Sequence, residues 1–165
     1  MFWGCSGSSF TLPAGFTCSM TSLTTCTQMF YGCSGNAFTL PAGFTLGANV
    51  VYTNNMFQSC SGSSFTVPSG FTIPNKVTNC SWMFSGCIGN AFALPEGFNL
   101  GSAVKVCYSM FESCINANFV LPSSFIVGSS VTDISSMFKG ATYFNSSCVT
   151  SWDVSNVQDI VTGKQ

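Results

Sequence analysis

The sequence has very few charged residues, and those it has are unevenly placed. It has no histidine and no arginine, and its four basic residues are all lysines. No charged side chain precedes Lys76. With so few cations to meet phosphates, charge-driven binding of nucleic acid is not expected. The low charge also leaves little like-charge repulsion to keep copies of the chain apart.

Long apolar runs are also missing. Hydrophobic residues make up 46% of the chain, yet Ser, Thr, Asn, Gly or Pro interrupts every window of about 18 residues, the length that a membrane span needs. The start, Met1-Phe2-Trp3, lacks the basic segment and the apolar run of a signal peptide. The sequence therefore predicts no membrane span. It also implies that a secreted parent has lost its signal, or that this chain is a piece of a longer protein.

One segment of about 27 residues recurs through the chain. Each copy opens on the dipeptide Met-Phe, which begins at Met1, Met29, Met56, Met83, Met110 and Met137. Five copies are close, as MFWGCSGSSFTLPAGFT and MFYGCSGNAFTLPAGFT show, and the sixth has diverged. The sequence predicts that residues 1–165 form a single domain of six such repeat units.

Each unit contains two periodicities. Val77, Cys80, Phe84 and Cys87 follow 3, 4, 3 spacing, which is typical of one face of a short helix. The Phe-x-Leu-Pro segment alternates apolar and small residues, as a short strand does, and its proline would end that strand. The sequence therefore predicts a short helical segment followed by a short strand in each unit.

A unit this small cannot bury its apolar face alone, but stacked units can. The sequence predicts a leucine-rich-repeat-like solenoid with short parallel strands and short helical or irregular segments. An all-β solenoid is the alternative, because the Ser-, Asn- and Gly-rich segments have weak helix propensity. One phenylalanine position is predicted to form a buried core ladder: Phe10, Phe38, Phe65, Phe92 and Phe119.

The sequence motif of the repeat resembles that of a known family. Met-Phe-x-Gly-Cys followed by Phe-Thr-Leu-Pro resembles the BspA-like leucine-rich-repeat surface proteins. The last copy, VTDISSMFKGATYFNSSCVTSWDVSNVQDI, resembles the related repeats of mycoplasma-type surface lipoproteins. The resemblance covers essentially the whole chain. It implies a leucine-rich-repeat-like solenoid, an extracellular or cell-surface location, and a role in adhesion or other surface functions rather than catalysis.

Ten cysteines set the chain apart from that family. Five of them stand four residues after the repeat methionine and form a predicted cysteine ladder: Cys5, Cys33, Cys60, Cys87 and Cys114. All ten occupy apolar positions of the repeat, as small buried hydrophobic residues would. A Cys80–Cys87 bridge is excluded if the segment is helical, because seven residues span about 10 Å. Mostly free, buried thiols are favoured, and several disulfides between neighbouring units are the alternative.

The usual parts of catalytic and metal sites are missing. The chain has no histidine, which is the commonest general base near neutral pH. It also has no Cys-x-x-Cys motif of the kind that binds zinc. Glu96 and Glu112 replace small or polar residues of other units and are predicted to be solvated. Asp133, Asp153 and Asp159 lack calcium-loop spacing. The sequence predicts no enzyme, no catalytic residue, no cofactor and no metal.

Two Asn-x-Ser sequons are possible glycosylation sites. Asn145 is the better candidate, because Asn79 precedes Cys80, a predicted core residue.

The ends of the repeat array bear on function. The first copy starts inside a unit, and Val157 and Ile160 begin another without completing it. The sequence predicts a non-enzymatic extracellular protein with a structural or self-assembling role, as in a filament, sheath or surface layer. Its partner would be itself or further repeats of its parent, packed end to end. The alternative is an adhesin or partner-binding module that binds a host or cell-surface protein.

Overall fold

A computed structural model describes residues 1–143 and Trp152. Within these residues the backbone consists of turns joined by extended links, with no helix and no strand longer than a single bridge. Pairing is limited to five isolated parallel bridges: Cys18 with Leu46, Thr25 with Tyr52, Tyr52 with Asn79, Asn79 with Val106, and Val106 with Asp133. The predicted leucine-rich-repeat-like solenoid is therefore wrong, because neither its helical segments nor its strands form. The all-β alternative is wrong as well, since the described residues contain no sheet.

Overlapping turns replace the predicted helix in each unit, as residues 26–33 show. Every second N–H in this segment donates to the carbonyl three residues earlier, as from Met29 to Cys26 at 3.2 Å. The N–H groups between them donate to the next repeat unit, as from Phe30 to Met56 at 2.9 Å. An α-helix needs each N–H for the carbonyl four residues earlier. The alternation therefore excludes a helix.

Residues with positive φ fix these turns. Gln28 has a φ of 54° and Gly32 a φ of 68°, and in the next unit Asn55 and Ser59 both have a φ of 59°. A positive φ at the third residue of a turn is required by type II turns and forbidden in a right-handed helix. The segment therefore turns repeatedly while its apolar side chains still face the core.

Neighbouring repeat units lie against each other with equivalent residues in register. One phenylalanine position stacks from Phe30 through Phe57 and Phe84, with ring centroids 5.6 and 5.5 Å apart. Two further positions stack in the same way, as Phe38 does on Phe65 and Phe44 on Phe71. These aromatic stacks run through the core, so each ring is covered by its counterparts in the neighbouring units.

The predicted core-ladder phenylalanines lie in one of these stacks. Phe38, Phe65 and Phe92 have no exposed surface, and Phe119 is 2% exposed. Phe10 is partly buried, because it belongs to the first unit and has a described neighbour on one side alone. No described segment forms a helix long and apolar enough to cross a membrane.

A column of glycines lies where the first four units approach each other closely. A Cβ atom at Gly62 would overlap the carbonyl oxygen of Gly35, and one at Gly89 would overlap the carbonyl oxygen of Gly62. Gly7 occupies the same position of the first unit, and a Cβ there meets nothing within 4 Å. The lack of space for a Cβ atom therefore comes from the backbone of the neighbouring unit and not from the conformation of the turn.

Gly62→Ala should therefore destabilise the protein while Gly7→Ala should not. The alanine methyl would force two units apart along a rigid backbone contact, which we expect to cost about 3 kcal/mol, at the upper end of the range for overpacking. Urea denaturation of the two variants beside the parent chain measures this difference. Equal stability of the two variants would show that the units can separate at no cost.

Candidate interaction surface

The first repeat unit has an apolar face that no other described residue covers. Phe2, Phe10 and Phe16 contribute to this end face and are partly buried, as are Leu12 and Leu23. In the second unit the three equivalent rings are at most 1% exposed: Phe30, Phe38 and Phe44. The difference arises because the second unit has a neighbour on both sides. The end face thus has the same side chains as contacts that are buried inside the protein.

The backbone at this end face has a defined hydrogen-bonding polarity. Phe2 donates its N–H to the carbonyl of Met29 at 2.9 Å, and Gly4 donates to Tyr31 at 2.8 Å. The same direction recurs in the equivalent turns of later units, as from Phe30 to Met56 and from Phe57 to Met83. The carbonyls of Met1 and Trp3 occupy the positions of those accepting carbonyls, and no described N–H donates to them. The end face therefore offers acceptors in the pattern that a further unit would meet.

No charged side chain lies near the end face. The first charged side chain in the sequence is Lys76, whose Nζ donates to Asn49 Oδ1 at 2.7 Å. An ion pair occurs further on, where Lys139 Nζ lies 3.5 Å from Glu112 Oε1 at the equivalent position of the preceding unit. Edges of this kind are usually protected from association by charged side chains. In the first unit no charged side chain gives that protection.

The predicted cysteine ladder lies in the core beside the aromatic stacks. Four of its members have no exposed surface: Cys33, Cys60, Cys87 and Cys114. Each donates its thiol to a phenylalanine carbonyl of the preceding unit, as from Cys60 to Phe30 at 3.1 Å and from Cys87 to Phe57 at 3.1 Å. Cys5 is partly exposed. These thiols join neighbouring units in addition to filling space.

Burial also suppresses ionisation of these thiols. Loss of hydration raises the pKa of Cys33 to about 11 and that of Cys114 to about 12. Neighbouring ladder members raise the pKa of Cys87 further, because a second charge would be unfavourable there. A neutral thiol is a weak nucleophile and a poor metal ligand. The ladder therefore has the chemistry of a packed core and not of a reactive site.

The nine cysteines between residues 1 and 143 are free thiols, and Cys148 lies outside the described residues. No group of three or more cysteine or acidic side chains in this part of the chain is arranged to hold a metal ion.

The remaining predicted positions fall at scattered places. Asn79 is half-buried, and its Oδ1 accepts a hydrogen bond from the Ser81 N–H at 2.8 Å. Asp133 holds the same kind of turn by accepting from the Ser135 N–H at 2.9 Å. Asn145, Asp153 and Asp159 lie outside the described residues. The structure therefore does not bring the predicted glycosylation and acidic positions together into one site.

A family model matches part of the chain. Residues 105–162 match a family model described as "Mycoplasma protein of unknown function, DUF285". This is roughly a third of the chain. No curated protein and no solved structure matches the sequence. Over its last repeats the chain is therefore similar to mycoplasma-type repeats.

Proposed function

We propose that this chain is a non-enzymatic structural protein that is displayed outside the cell and assembles end to end. The observation that carries the proposal is the end face around Phe2, Phe10 and Phe16, which is partly exposed although the equivalent rings of later units are buried. An uncovered layer of rings and carbonyls favours association with a matching layer. The resemblance of the repeats to BspA-like and mycoplasma-type surface proteins supports the extracellular location.

The layer that covers the end face comes from a second copy of this chain or from further repeats of its parent. Such repeats carry phenylalanines at the same spacing, so their rings can stack on Phe10 as Phe38 does at 5.6 Å. The carbonyls of Met1 and Trp3 would accept N–H groups of the added layer, as the carbonyls of Met29 and Tyr31 accept those of Phe2 and Gly4. The absence of charge before Lys76 removes the repulsion that would oppose this contact.

Phe10→Lys should abolish the association. A lysine in the end face places an unpaired charge where the second copy would bury it, which is strongly unfavourable. We expect the parent chain to sediment as species that grow with concentration and the variant to stay monomeric. Electron microscopy would show filaments or sheets for the parent chain alone.

Thr72→Lys is the matched control, since it adds the same charge at an exposed position outside the end face. It should associate as the parent chain does. A parent chain that stays monomeric at high concentration, or a Thr72→Lys variant that loses association equally, would contradict the assembly.

An adhesin is the second candidate. The observation that favours it is an exposed apolar pair on the side of the array, where Ile88 and Ile115 stand at equivalent positions and are 43% and 47% exposed. A monomeric parent chain that binds a cell-surface protein, and loses that binding in Ile115→Lys, would support the adhesin role over assembly.

A further inference from the structure

Two pairs of aromatic rings lie outside the buried stacks, in the overlapping-turn segments. Trp3 packs edge to face against Tyr31 with ring centroids 5.4 Å apart, and Trp82 packs in the same way against Tyr108 at 4.7 Å. Trp3 is 65% exposed, and the other three rings are half-buried. Each pair joins two neighbouring units and leaves aromatic surface open to solvent.

Two amide side chains connect these aromatic pairs. Gln58 is the equivalent of Tyr31 in the next unit, and the backbones meet there through the hydrogen bond from the Gly32 N–H to the Gln58 carbonyl at 2.8 Å. Asn55 Nδ2 donates to Gln58 Oε1 at 2.5 Å. Asn55 is in turn the equivalent of Trp82 in the unit that follows. A continuous surface therefore runs from the first aromatic pair, across two amides, to the second pair.

The amides are held in place within this surface. Asn54 Nδ2 donates to Asn55 Oδ1 at 3.1 Å, and Asn54 Oδ1 accepts from Thr27 Oγ1 at 2.9 Å. Asn55 has a φ of 59°, a conformation that asparagine adopts more readily than most residues. Because these groups are already ordered, a ligand that meets them loses little free energy to ordering the protein.

The same surface carries no charge over most of its length. No charged residue precedes Lys76, so the first aromatic pair and both amides lie in the charge-free part of the sequence. Glu112, which stands two units beyond Gln58 at the same repeat position, is paired with Lys139 at 3.5 Å. A carboxylated or sulfated ligand would find no cation beside Trp3 or Gln58. The chemistry therefore favours an uncharged ligand with both apolar and hydroxyl groups.

Sugar rings have these properties. A pyranose packs its C–H groups on the electron-rich face of an aromatic ring, and its hydroxyls both donate and accept hydrogen bonds, as an amide does. The ring planes within the two pairs are 66° and 76° apart, so one ring can lie under a sugar while its partner lies beside it. The surface crosses five units whose stacked core rings are 5.4–5.8 Å apart. That length suits several linked sugars and not a single one.

We propose that this surface binds an uncharged oligosaccharide. Trp3 and Trp82 stack against sugar rings at its two ends, and Gln58 hydrogen-bonds a hydroxyl between them. The site lies along the side of the repeat array, so it does not rest on end-to-end assembly.

The test titrates the full chain with uncharged hexasaccharides of glucose, N-acetylglucosamine, mannose and xylose, and with hexagalacturonate as the charged comparison. Tryptophan fluorescence and isothermal titration calorimetry measure binding. We expect saturable binding of at least one uncharged hexasaccharide, with a change in tryptophan fluorescence, and much weaker binding of hexagalacturonate.

Two variants remove the aromatic rings without disturbing the turns. Trp3→Ser and Trp82→Asn introduce residues that other units carry at the same positions, Ser85 and Asn55. Each should weaken binding about three- to tenfold, the loss expected for one aromatic contact. Tyr143→Ala is the matched control, because it removes a 61% exposed ring of the sixth unit outside this surface.

Trp82→Asn should sediment as the parent chain does, so that its loss of sugar binding is distinct from any effect on the end face. The proposal is overturned if no uncharged hexasaccharide binds at millimolar concentration, or if hexagalacturonate binds as tightly as the best of them. Binding that is unchanged in both tryptophan variants, or reduced equally in Tyr143→Ala, would also overturn it.

Discussion

Raising the pH above about 9 should unfold this protein, because most of its thiols are buried in the neutral form. Burial raises the pKa of six thiols in the part of the chain that the structure describes: Cys33, Cys60, Cys80, Cys87, Cys107 and Cys114. In the unfolded chain a thiol ionises near its ordinary value of 9.0. Between these two pKa values the unfolded chain loses protons that the folded chain keeps.

The sign of the effect is fixed by this difference. Stability contributed by a raised thiol pKa is complete below pH 9 and declines as pH rises toward the folded value, which is about 11 for Cys33 and about 12 for Cys80. Each such thiol lowers the free energy of unfolding by about 1.4 kcal/mol per pH unit in that window. Because several thiols ionise together, a domain of ordinary stability should unfold in the lower part of this pH range.

Urea denaturation at a series of pH values from 8 to about 10.5 measures the slope. Cys87→Ala removes one buried thiol and should make the slope shallower by about 1.4 kcal/mol per pH unit, although the variant is less stable at every pH. Met110→Leu is the control, since it removes a buried sulfur that carries no ionisable proton. An unchanged slope in Cys87→Ala, or a parent chain that stays folded above pH 11, would contradict this account.

The repeat could be recognised from the sequence because it depends on side-chain identity at a fixed spacing. The same spacing places Phe38, Phe65 and Phe92 in one stack with their rings buried. The local backbone could not be predicted in this way. Apolar residues at 4, 3 spacing, such as Cys26, Phe30 and Cys33, face one side in three overlapping turns as they do in a helix.

The deciding information lies in backbone hydrogen bonds that side-chain patterns do not show. Every second turn N–H is used by the neighbouring unit, and non-glycine residues such as Gln28 and Trp82 take a positive φ to make this possible. Weak helix propensity of the Ser- and Asn-rich segments was the available signal. The prediction of a strand before Pro41 was wrong for a related reason, since bridges between units form at isolated residues and do not extend into a ladder.

Part of the candidate interaction surface could be predicted from the sequence. The lack of charge before Lys76 and the phenylalanine positions of the first unit are visible in the sequence, and together they indicate an apolar end. The thiol–carbonyl contacts were not predictable, because they require the carbonyl of Phe30 to point at Cys60 of the next unit.

Phe65→Ala should destabilise the protein by about 3–5 kcal/mol, the range for removing a fully buried aromatic side chain. Phe65 has no exposed surface and stacks between Phe38 and Phe92, with centroids 5.6 and 5.8 Å away. It also meets Phe57 in a tilted arrangement at 5.7 Å. Truncation leaves a cavity that the units on either side cannot fill, because the glycine column already holds their backbones in contact.

Phe10→Ala provides the comparison at the same repeat position. Phe10 is partly exposed and stacks on Phe38 alone within its ladder, at 5.6 Å, so its removal opens a gap that water can enter. Urea denaturation should place Phe10→Ala clearly between the parent chain and Phe65→Ala, provided that measurements are made on monomeric protein. Equal losses in the two variants would mean that Phe10 is covered as fully as Phe65 in solution. A loss below about 1 kcal/mol for Phe65→Ala would instead show that the units relax into the cavity and that the aromatic stack is not what holds them together.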